Sequence, residues 1–400
     1  MDIGDMLEMM RDPLGAPFYP PGIQLLLVVT FVLHIFFVTL ALGSSAFSIY
    51  GFFHKGEYQL RLARVTARLT TSAVGLGIVT GIAPLLFLQT IYDPIWYASN
   101  ALSGLWSVGF IFVVMGGYSM AYLFYLKGSQ DGKLLWSAVA SFVLLFFAGW
   151  IMHVLNSVSM HPERWMEWYA PNGVVDTRGI HFHAFNIPRL IFLLPLQATL
   201  SFSVVLLLFS WYFQRREDAE PAFLNWVAGL GRKFGIIVSP LFALFGVLWA
   251  FTQGQEFGIA LPIGITLGGL GVVLFFYFRT LSRPIEKAPQ VLGIWVAVLL
   301  VVAIVREAIR VVSLARFGYS ITEYPYIMDW GSILVFAVTS VVGIAVLAYL
   351  IMVLYQSGAG KEGGTVSAGV DRWGKIATGM IGAWFVFFFL VGIYSTFVLG

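Results

Sequence analysis

Apolar residues in this chain run in long, nearly unbroken stretches. A bilayer-spanning helix needs about 20 mainly apolar residues. Ten stretches meet that length: 23–50, 69–91, 101–126, 134–158, 188–213, 234–253, 257–280, 289–315, 330–356 and 374–398. None shows the period-two alternation of a membrane β-strand, which argues against a barrel. The pattern predicts an all-α fold, a polytopic membrane helix bundle of about ten transmembrane helices. The first stretch is too long for a signal-peptide core. The segment before it is acidic (Asp2, Asp5, Glu8, Asp12) rather than basic, so the stretch is expected to remain as a retained helix.

The polar positions between the stretches give sidedness. One set of connections holds Lys55, Arg61, Arg64, Arg68, Lys127, Lys133, Arg215, Arg216, Arg232, Lys233, Arg279, Arg283, Lys287, Lys361, Arg372 and Lys375, most of the 23 basic residues. The other set holds Arg11, Arg164, Arg178, Arg189, Arg306, Arg310 and Arg316. The two sets alternate with every stretch. The positive-inside rule then places the first set in the cytoplasm and both termini outside. Residues 159–187 form an outer loop rich in Trp, Tyr and His. Residues 214–233 form an inner loop, expected to carry a short interfacial helix around Phe223–Leu230. Residues 357–373 are Gly-rich and read as a flexible inner linker. The chain divides into a nine-span bundle, 1–356, and a cytoplasmic linker with one further span, 357–400.

Composition agrees with lipid as the solvent. Hydrophobic residues make up 59% and charged residues 11%, against about 25% charged in soluble proteins. There is no cysteine. That removes covalent c-type haem attachment, thiolate metal sites, iron–sulfur clusters and redox disulfides. The net charge of +3 comes with no basic motif that would suggest nucleic acid.

Ionisable residues inside spans are costly and become candidates for function. His34 lies roughly 20 Å below the outer end of the first stretch at 1.5 Å per residue. A neutral imidazole among Phe31, Ile35 and Phe36 suits an axial haem ligand; the commoner role for such a residue is a hydrogen bond across helices. His153, near the outer end of the fourth stretch, carries the same two readings. Arg306, Glu307 and Arg310 occupy the last outer turns of the eighth. Arg306 and Arg310 share a helix face, and Glu307 and Arg310 are one turn apart. Two arginines there can pair with haem propionates, and the glutamate can ligate iron or accept protons. The same three side chains can also neutralise one another and close a helix end. Glu256 sits in the outer turn between the sixth and seventh stretches. His181 and His183 would share one side of an extended strand, which suits copper or zinc or a solvated loop. His161-Pro162-Glu163-Arg164 opens the same loop. Trp165, Trp168 and Tyr169 are interfacial anchors or a quinone-pocket wall.

Four segments carry a resemblance. They are Gln24-Leu25 with Phe31-Val32-Leu33-His34-Ile35-Phe36-Phe37 to Gly43; Gly77-Ile78-Val79-Thr80-Gly81-Ile82-Ala83-Pro84; Trp150-Ile151, Asn156 and Met160-His161-Pro162; and Glu307-Ala308-Ile309-Arg310. Together they resemble subunit I of the cytochrome bd-type quinol oxidases, with nine stretches matching in order and sidedness. In that family the first-helix histidine and the glutamate of a Glu-x-Gly-Arg-Gln-Pro-Trp segment each ligate a haem iron. The resemblance implies haem b near the outer face, with His34 and Glu307 as iron ligands.

The departures shape the expected function. The family's third helix has two glutamates beside the oxygen-reducing haem; here Ala101–Gly109 has none. The fifth stretch, from Ile187-Pro188-Arg189, lacks the family's histidine, and the seventh lacks its methionine. The quinol loop has shrunk to Gln253-Gly254-Gln255-Glu256, and a tenth stretch is added. The chain therefore resembles a divergent relative, in which any low-spin haem would be held by His153 with a loop histidine, His183. The expected function is a haem-b subunit of a respiratory quinol:acceptor oxidoreductase in a bacterial or archaeal plasma membrane. It would pass electrons to an outer-side c-type cytochrome on another chain and release quinol protons through Glu256 or Glu307. One alternative is a terminal oxidase whose oxygen site is rebuilt with histidines and copper. Another is a haem-free transporter, channel or scaffold.

Overall fold

The computed structural model describes residues 2–357 and 366–399. Their regular secondary structure is helical, and the one strand-like pairing among them is an isolated bridge between Ala16 and Tyr326. Ten helices are long and apolar enough to span a bilayer: Pro20–His54, Glu57–Ile91, Gly104–Gly128, Leu135–Val158, Ile187–Phe213, Pro221–Gly254, Ala260–Thr280, Ala288–Ala315, Trp330–Val353 and Ala368–Phe397. They are called the first to tenth spans below. Residues 358–365 of the expected linker, Lys361 among them, lie outside the described residues, and its last residues, from Ala368 on, belong to the tenth span.

Local chemistry sets several ends. The first and sixth spans begin on prolines, which suit the first helical turn because their missing N–H has no partner to lose there. The first span stops at Lys55, whose φ of 54° is left-handed, and the chain turns through Gly56 into the second. The fifth contains a wide π-helical turn at Phe192–Leu196, where Pro195 lacks a backbone N–H.

Two expected boundaries need correction. The second span starts at Glu57, not 69. Leu62, Ala63, Thr66, Ala67 and Thr70 form a buried stripe against the first span, so a segment rich in arginine still gains enough packing to stay helical. The expected interfacial helix at Phe223–Leu230 is no separate element. It is the start of the sixth span, because Phe223, Leu224, Val227 and Ala228 repeat on one buried face. Arg232 leans away and donates to the last carbonyls of the seventh span at Phe278 (3.0 Å) and Arg279 (2.6 Å). A short helix, Asp93–Leu102, also precedes the third span.

The fifth span is the central post: 78% of its membrane window is buried. Residues of the first, fifth, sixth, seventh and eighth spans share one apolar cluster around Phe192, Phe242, Trp249 and Trp295. Small residues permit close approach. A Cβ on Gly271 would sit 2.5 Å from the backbone nitrogen of Ala243, which locks the sixth and seventh spans together. The ninth and tenth spans pack on each other, with Trp384 donating to Thr339 at 2.8 Å. The ninth meets the bundle at Phe87–Phe336 and Trp211–Tyr355.

Connections assigned to one side by charge do meet. Arg61 pairs with Glu220, and Arg64 donates to the Gln130 carbonyl at 3.0 Å. At the opposite end Arg11 donates to Ser320 (2.9 Å), and Arg316 to Glu163 (3.3 Å).

Candidate functional site

The eighth span carries Arg306, Glu307 and Arg310 into the bundle rather than to its rim. Glu307 is 6% exposed and Arg310 2%. The Glu307 carboxylate is fully engaged. Its Oε1 accepts from Tyr92 Oη at 2.6 Å and Gln24 Nε2 at 2.9 Å, while Oε2 pairs with Arg310 Nη1. Asn156, on the fourth span, offers Oδ1 to both arginines, at 3.2 Å to Arg306 and 3.3 Å to Arg310. Arg306 also lies over the Phe31 ring at 4.1 Å, and Arg310 over Tyr92 at 5.0 Å.

A third guanidinium joins them. Asn186 caps the fifth span by accepting from Arg189 N at 2.9 Å, which fixes Arg189 in the first helical turn. Its side chain is 3% exposed, donates to Ser157 Oγ at 3.3 Å, and lies within electrostatic reach of Arg306 and Arg310. The cluster therefore holds two buried guanidiniums, Arg189 and Arg310, a part-buried third, Arg306, and one carboxylate. Burying an unpaired ion costs several kcal/mol, and Arg310 Nε is buried with no hydrogen-bond partner. Planar guanidinium forks match carboxylates, so the donor set is that of an anion receptor.

His34 also lies near Phe31, with ring centroids 6.4 Å apart. Its Nδ1 donates to the Gly77 carbonyl at 2.9 Å. A carbonyl can only accept, so the proton is on Nδ1 and the Nε2 lone pair is left over. Metal-bound imidazoles are commonly oriented in this way. The ring lies on Gly81, where a Cβ would come within 2.8 Å of Cε1. His34 thus faces the second span, and no hydrogen bond or ion pair joins it to Glu307. The two expected iron ligands are not presented as a facing pair, because Glu307 already has three partners. The residues fit a dianionic group held by arginines with one imidazole nitrogen available from His34. They do not offer Glu307 as an open ligand.

The remaining candidates fall elsewhere. His153 Nε2 accepts from Asn186 N at 3.0 Å, and its ring stacks on Trp150 at 5.9 Å. That lone pair is already used, so His153 and a loop histidine are not poised as a ligand pair. His183 stacks on Trp168 at 5.2 Å, and His181 is 5.6 Å from it, centroid to centroid. Burial, followed by the charge of His181, holds His183 below the usual imidazole range. His181 Nε2 lies 3.3 Å from Asp176 Oδ2, and Arg178 hydrogen-bonds the same carboxylate and keeps it well below its usual range. Glu256 belongs to a separate outer cluster, 3.3 Å from His161 Nδ1. Apolar grooves lie between the ninth and tenth spans (about 470 Å³, lined by Val341 and Trp384) and beside Phe146 and Trp150 on the fourth (about 330 Å³); neither separates His34 from Glu307.

Sequence reasoning missed Arg189 and the bridging role of Asn156. The available signal was Asn186-Ile187-Pro188-Arg189, a helix-start pattern that puts an arginine in the first turn of the most buried span. No family model, curated protein or solved structure matches this chain.

Proposed function

We propose that this chain is a haem-b-binding integral membrane subunit that carries electrons between quinol in the bilayer and an acceptor at the outer face. The observation that carries the proposal is the excess positive charge inside the bundle: buried Arg189 and Arg310 and part-buried Arg306 against Glu307, with an imidazole carrying a spare lone pair near the same Phe31 ring. The two carboxylates of a haem would balance that charge. His34 would meet the iron through Nε2, and the arginines would take the propionates. When bound, haem supplies one-electron redox chemistry; the protein supplies orientation and electrostatics.

The chain's own residues have distinct tasks. The Gly77 carbonyl fixes the His34 tautomer, and Gly81 gives the ring its seat. Glu307, held by Tyr92 and Gln24, orients Arg310. Asn156 keeps Arg306 and Arg310 from separating. With no cysteine in the sequence, an outer c-type haem belongs to another chain. The resemblance to cytochrome bd-type subunit I supports the same assignment and a bacterial or archaeal plasma membrane. An oxygen site rebuilt on histidines is less well supported, because His153 already spends its lone pair on Asn186.

The proposal is tested by the absorption spectrum of the purified protein before and after addition of a short-chain quinol. Quinol-induced haem-b bands support it. A colourless, iron-free preparation from haem-replete cells rules it out.

A further inference from the structure

A second cluster stands at the outer face. His161 follows the fourth span, Glu163 begins the large outer loop, and Glu256 lies in the turn between the sixth and seventh spans. Two stretches of chain supply them, His161 and Glu163 from one and Glu256 from the other, and one ligand atom from each lies within 4.8 Å of the others. His161 Nδ1 is 3.1 Å from Glu163 Oε1 and 3.3 Å from Glu256 Oε1. Nδ1 carries at most one proton, so it cannot fully satisfy two carboxylates.

The two distances from Nδ1, which suit direct polar contacts, also suit ligands sharing one metal ion. Zinc–nitrogen and zinc–oxygen bonds are about 2.0–2.2 Å. Two such ligands lie about 3.0 Å apart at a right angle and about 3.4 Å apart at the tetrahedral angle. Both observed distances fall in that interval. The surroundings hold the donors in place. Arg316 donates to both oxygens of Glu163 (3.3 and 3.4 Å) and is itself fixed by the Met160 and Ser313 carbonyls. Phe257 faces the His161 ring at 6.2 Å and packs under Arg316 at 4.8 Å. Gly258, with φ of 74°, permits the tight turn that presents Glu256. Outer partners that orient ligating carboxylates are a regular part of metal sites.

We propose that His161, Glu163 and Glu256 form an outer-face site for a divalent transition-metal ion of the zinc class. One imidazole with two carboxylates suits zinc or manganese better than copper(I) or magnesium. The site would fasten the outer loop and the turn between the sixth and seventh spans to the outer end of the eighth. It uses none of the residues assigned to haem.

The test uses the full chain in detergent, stripped with chelator and titrated with zinc chloride, with bound zinc counted by elemental analysis after desalting. The expected result is one saturable zinc per chain and a raised melting midpoint. Glu256→Gln and His161→Gln should each weaken binding at least tenfold. The His181→Ala/His183→Ala double variant should bind as the wild type does. Glu256 has no other polar partner among the described residues, so Glu256→Gln remains decisive if His161→Gln misfolds. Absence of saturable binding, binding unchanged in Glu256→Gln, or binding lost in the His181/His183 double variant would overturn the proposal. Haem content, read on the same samples, reports separately on the arginine site.

Discussion

His34 and Gly77 are joined across the first two spans by a 2.9 Å hydrogen bond from Nδ1 to the carbonyl. This bond decides the chemistry of the imidazole. It sets the tautomer, leaves Nε2 as the lone pair, and presses the ring onto Gly81.

The seat on Gly81 makes a sharp prediction. Gly81→Val places branched carbon where Cβ alone would lie 2.8 Å from Cε1 and 2.9 Å from Nδ1 of His34. Overpacking of this kind costs about 1–3 kcal/mol. The variant should melt lower and lose the His34-dependent absorption. Full haem content in Gly81→Val would mean that the imidazole position is irrelevant to cofactor binding.

Glu307 is the one carboxylate in the buried arginine cluster. Glu307→Gln leaves Arg310 and its neighbours without a counter-charge, a change worth about 3–5 kcal/mol when a buried pair is broken. Asn156→Ala removes hydrogen bonds but no charge and should cost about 1–3 kcal/mol. Thermal melts of the two variants should rank in that order, and equal melts would show that the cluster is hydrated rather than dry.

Arg189→Met separates stability from binding. Removing one of three like charges should raise the melting midpoint of the haem-free protein by relieving repulsion. The same change should lower haem occupancy, since a propionate partner is gone. Both readouts come from one preparation with and without added haem. A fall in the haem-free melting midpoint would show that Arg189 is compensated in the native fold.

At the outer face, Asp93 Oδ2 accepts from Asp12 N (2.8 Å) and Tyr324 Oη (2.9 Å), while Oδ1 is buried without a partner. Burial raises its pKa above the usual carboxylate value, against the opposing hydrogen bonds. A folded-state pKa above the unfolded one means that the folded protein holds the proton more tightly. Asp93 therefore contributes most stability below pH 3.8, and that contribution is lost as pH rises through the raised value. Asp93→Asn should remove this dependence, so its melting midpoint should gain on the wild type between pH 4 and pH 7. A constant gap over that range would contradict the assignment.

The membrane class and the order of the ten spans were legible in the sequence, because an apolar run of that length has no other soluble or β-strand solution. Helix starts were harder to place. Glu57–Arg68 and Pro221–Lys233 look like polar loops until their buried stripes are seen against the first and fifth spans. His34 stood out as a lone titratable group in an apolar run. Arg189 did not, because a basic residue beside a proline at a span's edge looks like an ordinary anchor. Glu307 was visible, but its saturation by Tyr92 and Gln24 depends on contacts 215 and 283 residues away in sequence. No local pattern encodes those.

The central claim is that His34 and the buried arginines hold haem b. Pyridine haemochrome quantification per chain, on wild type and His34→Ala purified side by side, tests it most directly. The account predicts at least one haem b per wild-type chain and the loss of one equivalent in the variant, with the helical circular dichroism unchanged. Equal haem in the two proteins, or none in either, would contradict it.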